Sequence, residues 1–111
     1  QSYAAATLDE TKALFEDGYE IADIAVERGL TPATIINHLA RLHKEQGLDI
    51  TVAHPGDEVV EEVRKIYKRL HKRQNPEHFS EDGAIKLRPI VEATSPKMAY
   101  DQVRLALLFI E

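Results

Sequence analysis

The stretch YEIADIAVERGLTPATIINHLARLHKEQG, residues 19–47, decides the fold. Ile21, Ile24 and Ala25 recur at helical spacing and so share one face of a short helix. Ala25 is small where a second helix must cross closely. Gly29 permits the left-handed backbone that a residue with a Cβ resists, and Leu30 plugs the resulting turn. Thr31-Pro32 then opens a second helix. The Thr side chain caps a free N–H group, and Pro in the first turn has no N–H to leave unpaired. Gly47 closes that helix. Two helices joined in this way predict a helix-turn-helix, which can present its second helix to a DNA groove.

Helical geometry sorts the second helix into two faces. At about 100° per residue, Ile35, Leu39 and Leu42 fall on one narrow stripe and face the core. Ala33, Thr34, Asn37, Arg41 and Lys44 fall on the opposite side, with His38 and His43 at the borders. Small or polar residues followed by two cations suit base-edge contact followed by phosphate contact. The same pattern also describes a helical hairpin with a solvated outer face, and the motif is reused for protein contacts.

The chain has 111 residues, enough for a single helical domain around one core. We expect a helix-turn-helix half at residues 7–47 and a second half at 57–111. Hydrophobic residues make up 43%, which argues against disorder. Cys is absent, which removes any disulfide framework or thiolate site. No apolar run reaches the roughly 20 residues that span a bilayer, and no signal peptide is recognisable, so no membrane partner is expected. The first residue is Gln rather than Met, which suggests a domain excised from a longer protein.

The net charge of −5 is unevenly spread. Residues 1–63 carry 4 Lys/Arg against 13 Asp/Glu, whereas residues 64–111 carry 10 against 6. The first half alone is therefore a poor electrostatic match for phosphate, and any DNA contact needs help from the second.

Six helices and no strands are predicted, an all-α fold. The first covers residues 8–17, with Thr7 as N-cap, Glu10 completing a capping box, and Leu8, Thr11 and Phe15 facing inward. Residues 48–55 form a polar connection in which Ile50 and Val52 could be extended. The fourth helix covers residues 57–73, with Val59, Val63, Ile66, Tyr67 and Leu70 buried. Its acids lead and its bases follow, the order the helix dipole favours. Glu61 precedes Lys65 by four residues, a spacing that suits an ion pair. Lys65, Lys68, Arg69 and Lys72 project from the outer face, as a phosphate-contacting ridge or a solvated surface. A loop follows at 74–83, then a short helix at about 84–93 that Pro89 confines to a start near Arg88. Ser95-Pro96 is expected to open a last helix to Ile110, with Tyr100, Val103, Leu107 and Ile110 inward.

The string T-L-x-x-T-x-x-L-F-x-x-G-Y-x-I-x-x-I-A-x-x-R-G-L-x-x-x-T-I-x-x-H-L, residues 7–39, resembles the extreme C-terminal helix-turn-helix domain of RecQ-type DNA helicases. That group includes bacterial RecQ proteins with this extra domain and the Werner-syndrome helicase. The likeness continues more weakly through the long basic helix, the LRPIVEA segment and the last helix. The turn and second helix also resemble LuxR-type response regulators, whose domains end soon after one further helix. A regulator of that kind would need a dimer to read two half-sites.

The resemblance implies an accessory module of an ATP-dependent 3′→5′ helicase in DNA repair and recombination, working in the cytoplasm on the bacterial nucleoid. Its DNA-binding residues would be Ala33, Thr34, Asn37, Arg41, Lys44, Lys65, Lys68, Arg69 and Lys72. Forked, duplex or single-stranded DNA would be held by its backbone, with weak sequence preference. ATP and Mg are expected only in the parent's motor, because this chain has no Gly-x-x-x-x-Gly-Lys-Ser/Thr phosphate loop. No catalytic residue and no cofactor are expected here. His38, His43, His54, His71 and His78 match no zinc spacing. The rival reading is a protein-docking domain, motivated by the acidic set Asp9, Glu10, Glu16, Asp17, Glu20, Asp23 and Glu27, which would repel phosphate and attract a basic partner.

Overall fold

The computed structural model describes the backbone of residues 3–110 and the side chains of residues 6–110. Among these residues it is all-α. The helices are α1 (Tyr3–Glu16), α2 (Ile21–Arg28), α3 (Pro32–Gln46), α4 (Asp57–Arg73), α5 (Leu87–Ala93) and α6 (Tyr100–Ala106). Short 3-10 turns occupy Thr51–Ala53, Pro76–His78 and Leu107–Phe109. One isolated antiparallel bridge joins Phe79 to Ile85. No helix among the described residues is long and apolar enough to cross a membrane. The chain forms two compact units, Gln1–Ala53 and His54–Glu111.

In the first unit α1, α2 and α3 pack against one another pairwise. The turn is built as its residues dictate. Gly29 adopts φ 66°, and the Leu30 N–H reaches back to the Ala25 carbonyl at 2.9 Å, closing α2. Thr31 Oγ1 accepts the Thr34 N–H at 3.2 Å, with Pro32 in the first turn, and Gly47 ends α3 at φ 70°. Leu8, Thr11, Phe15, Ile24, Ala25, Ile35, Leu39 and Leu42 are buried. Ile36 is buried as well, so the inward face of α3 is wider than the expected stripe, because both α1 and α2 lie against it.

Two expectations for this unit fail. Thr7 is not an N-cap, since α1 starts at Tyr3 and Thr7 lies inside it. Its oxygens serve Arg28 instead: the carbonyl accepts from one guanidinium nitrogen and Oγ1 from the other, both at 2.8 Å. Glu10 does not complete a capping box; it pairs with the same guanidinium at 3.1 Å. The 50–52 segment is not extended. Residues 51–53 turn, leaving Ile50 buried and Val52 83% exposed.

Arg28, whose side chain is only 9% exposed, also donates to Thr11 Oγ1, and that oxygen lies 2.8 Å from His38 Nδ1. Since Arg28 supplies a proton to the Thr11 oxygen, the Thr11 hydroxyl is free to donate its own to a neutral imidazole. Burial first, then the nearby charges of Arg28 and Arg41, hold the His38 pKa below its ordinary value.

In the second unit Val60, Val63, Ile66 and Leu70 of α4 join Ile90, Val91, Val103 and Ala106 in one core. Val60 takes the place expected of Val59, which with Tyr67 is only partly buried against that core. Pro89 sits in the first turn of α5, where a missing N–H leaves no bond unmade. Ser95-Pro96, a cis peptide, does not open α6. The Thr94 hydroxyl donates to the Val91 carbonyl at 2.7 Å and accepts the Met98 N–H at 2.9 Å, so the residues between form a turn. The helix begins at Tyr100, which is 46% exposed rather than in the core, and Ala106 supplies the buried contact instead. It ends at Ala106 and not at Ile110. Arg64 then holds the chain end, donating to the Ile110 and Phe109 carbonyls at 3.2 and 3.3 Å. The same guanidinium takes Glu61 at 2.6 Å, so the expected Glu61–Lys65 pair is not formed.

Arg28→Met keeps the aliphatic stem and removes every donor. Stability in urea is expected to fall by about 2–3 kcal/mol, several hydrogen bonds at about 1 kcal/mol each. His38 makes the fold acid-sensitive. Below about pH 6.5 the unfolded chain takes up a proton that the folded imidazole resists, so stability is full above that pH and declines as pH falls toward the lower folded-state value. Urea titrations from about pH 7.5 to about pH 5 should show a smaller decline for His38→Gln than for the wild type.

Candidate nucleic-acid interface

The outward face of α3 holds the predicted contact residues of the first unit. Asn37, Arg41 and Lys44 are exposed, whereas Ala33 and Thr34 are half-buried. Thr34 is also committed locally, its hydroxyl lying 3.0 Å from Thr31 Oγ1 at the cap. Arg41 is held by Glu45, one turn further on, at 3.2 and 3.4 Å. Both side chains of that pair are half exposed, so it contributes at most about 1 kcal/mol and yields readily to a phosphate. No hydrogen bond or ion pair of Lys44 occurs among the described residues. This face therefore offers one amide and two cations, with one carboxylate among them.

The second unit places its predicted contacts on α4. Lys65, Lys68, Arg69 and Lys72 are all exposed, opposite the buried stripe of Val60, Val63, Ile66 and Leu70. None of the four is in an ion pair among the described residues, unlike Arg64, Arg88 and Arg104. The acids Asp57 and Glu58 stand in the first turn and His71, Lys72 and Arg73 in the last. Positive potential thus concentrates toward the C-terminal end, where it also complements the carbonyl end of the helix dipole.

The acidic residues occupy their own surface. Asp9, Glu10, Glu16, Asp17, Glu20, Asp23 and Glu27 are exposed on α1, α2 and the connection between them. An open pocket of about 320 Å³, lined by Phe15, Tyr19, Glu20, Ile21 and Val52, lies in the same unit.

His38, His43 and His54 have separate polar partners rather than a common one. His38 meets Thr11, His43 Nδ1 lies 2.8 Å from the Leu48 carbonyl, and His54 Nδ1 accepts the Gly56 N–H at 3.0 Å. Among the described residues no group of three or more His, Cys, Asp or Glu is arranged to hold a metal ion. His71 is exposed and stands between two other rings: Tyr67 at 6.0 Å, nearly parallel at 30°, and Phe79 at 6.2 Å, edge-on at 70°. This aromatic group had no place in the sequence reading. Its one legible signal was the four-residue step from Tyr67 to His71 beside the identical step from Lys68 to Lys72.

The chain is similar to "ATP-dependent DNA helicase Pif1" of Psychrobacter sp. (strain PRwf-1), with 30% identity over 125 aligned positions. The match covers 98% of this chain but 19% of that protein, so the chain spans about a fifth of its relative's length. No solved structure matches it. Residues 7–107, from the first helix to the start of the last turn, match one family model throughout. That model is described as a helix-turn-helix domain, in keeping with the turn at Gly29 and the cap at Thr31, and the chain belongs to the helix-turn-helix domain family.

Proposed function

We propose that this chain is a non-catalytic DNA-binding module of a larger ATP-dependent DNA helicase, holding DNA by its backbone rather than by sequence. The observation that carries this reading is the row Lys65, Lys68, Arg69 and Lys72, exposed and without ion-pair partners among the described residues. Membership in a helix-turn-helix family and the relative's printed name support it. The residue string at 7–39 favours a RecQ-type parent, whereas the relative carries the name Pif1. A DNA helicase is common to both, and it is that shared role we propose, with cytoplasmic DNA as its target. ATP and Mg belong to the parent's motor.

The two units contribute unequally. Unit Gln1–Ala53 contains 4 Lys/Arg against 9 Asp/Glu, so Asn37, Arg41 and Lys44 serve as an orienting contact with little electrostatic pull. The α4 row supplies the phosphate attraction. A second reading has a specific observation behind it. The pocket at Phe15, Tyr19, Ile21 and Val52, with Glu20 in its wall and Glu16 and Asp17 exposed nearby, would suit an apolar side chain on a basic protein segment. It requires no DNA binding at all.

Binding of a labelled DNA fork should weaken steeply with salt, and Lys68→Glu with Lys72→Glu should lower the slope of log affinity against log salt by about 2, one unit for each lost phosphate contact. An unchanged slope in the double variant counts against the α4 row. Glu45→Gln releases Arg41 and removes a repelling carboxylate. It should raise fork affinity a few-fold while changing stability by less than about 1 kcal/mol.

A further inference from the structure

The C-terminal half of α4 carries two parallel rows. Residues four apart share a helix face about 6 Å apart along the axis. Tyr67 and His71 form one such row, and Lys68 and Lys72 form the next, one residue further round. Between them lies an open groove of about 440 Å³. A second groove, of about 680 Å³, lies beside His71 and is lined by Phe79, Gln74 and Pro76. The chain turns back at Gln74, which closes α4 in the left-handed region at φ 55°. The Phe79–Ile85 bridge then holds the returning segment, with Phe79 edge-on to His71. Two rings thus flank an exposed imidazole, beside two ammonium groups without ion-pair partners among the described residues.

This pairing of features has a specific chemical meaning. A duplex backbone gains little from aromatic rings, because its bases are stacked inside. An unpaired base exposes a flat π face that rings of Tyr, His and Phe can cover, and its flanking phosphates suit cations one residue away on the helix. The stacking needs no particular base, because every base has a π face.

We propose that Tyr67, His71 and Phe79 form a stacking platform for unpaired nucleobases, with Lys68 and Lys72 holding the adjacent phosphates, so that the second unit takes a single-stranded nucleic acid. This deepens the nucleic-acid reading above and rests on it. The ligand chemistry, an unpaired base between two phosphodiesters, is common to single-stranded DNA and to RNA.

The test uses the full chain and four labelled probes: short oligothymidylate, oligouridylate, a DNA duplex and an abasic strand of equal length. His71 is exposed, so His71→Ala leaves the core intact; Tyr67→Leu preserves an apolar contact where Tyr67 meets it. Native strands should bind more tightly than the abasic strand. Either substitution should weaken the native strand roughly tenfold and leave the duplex unchanged. A 2-aminopurine placed in the strand should be quenched on binding the wild type and not on binding His71→Ala. Whichever of the DNA and RNA strands shows both effects identifies the source of the base. Equal affinity for native and abasic strands, with no effect of His71→Ala, overturns the platform and leaves the backbone-binding module standing. Failure of every probe to bind at low salt overturns both.

Discussion

The guanidinium of Arg28 is the constraint on which the first unit depends. It sits at the last residue of α2, immediately before the Gly29 turn, and reaches two consecutive turns of α1 through Thr7, Glu10 and Thr11. Through Thr11 it is joined to His38 on α3. One side chain therefore links all three helices where an apolar core would only press them together. Apolar contacts resist separation but tolerate sliding; hydrogen bonds in fixed directions set rotation and register. The position of α3 relative to α1, and hence which residues of α3 remain outside, follows from this network. Its cost is equally local, since Arg28 Nε is buried with no partner among the described residues.

The second unit is organised differently. Its core is apolar, and its polar anchor is Arg64, which ties α4 to the carbonyls at the chain end. That arrangement commits Arg64 to structure and leaves Lys65, Lys68, Arg69 and Lys72 exposed to solvent. Separation of the two tasks on one helix has a simple physical basis. Cations that face water without partners keep their full attraction for an incoming anion, whereas Arg64, Arg88 and Arg104 have spent theirs on neighbouring carboxylates.

Much of the architecture is legible in the sequence. The turn between α2 and α3, the start of α4 after Gly56 and the confinement of Pro89 to a first turn follow from Gly, Pro and Thr at positions where backbone sterics allow few alternatives. The errors are instructive for the opposite reason. Thr7 has the composition of a cap, but its oxygens are claimed by Arg28, a residue 21 positions away. Ser95-Pro96 has the composition of a helix start, but Thr94 binds both sides of the segment and delays α6 to Tyr100. Val59 and Val60 fit the same stripe to within one residue, and only the packing of α5 and α6 selects Val60. At Thr7 and at Val59 a local preference loses to a partner distant in sequence, whereas at Ser95-Pro96 it loses to a competing local turn.

The candidate interface divides along the same line. Which residues carry charge, and that Lys65, Lys68 and Lys72 share a helix face, is determined by sequence alone, because helical periodicity is a local property. So are the helix-turn-helix and its caps. The Arg41–Glu45 and Glu61–Arg64 pairs are local to their helices, but tertiary structure fixed Arg64 against the Ile110 and Phe109 carbonyls. It alone brought Phe79 back across a turn to meet His71 and Tyr67. A helix repeats every few residues and can be read from a short window, but the encounter of a loop with a helix depends on where the whole chain has folded.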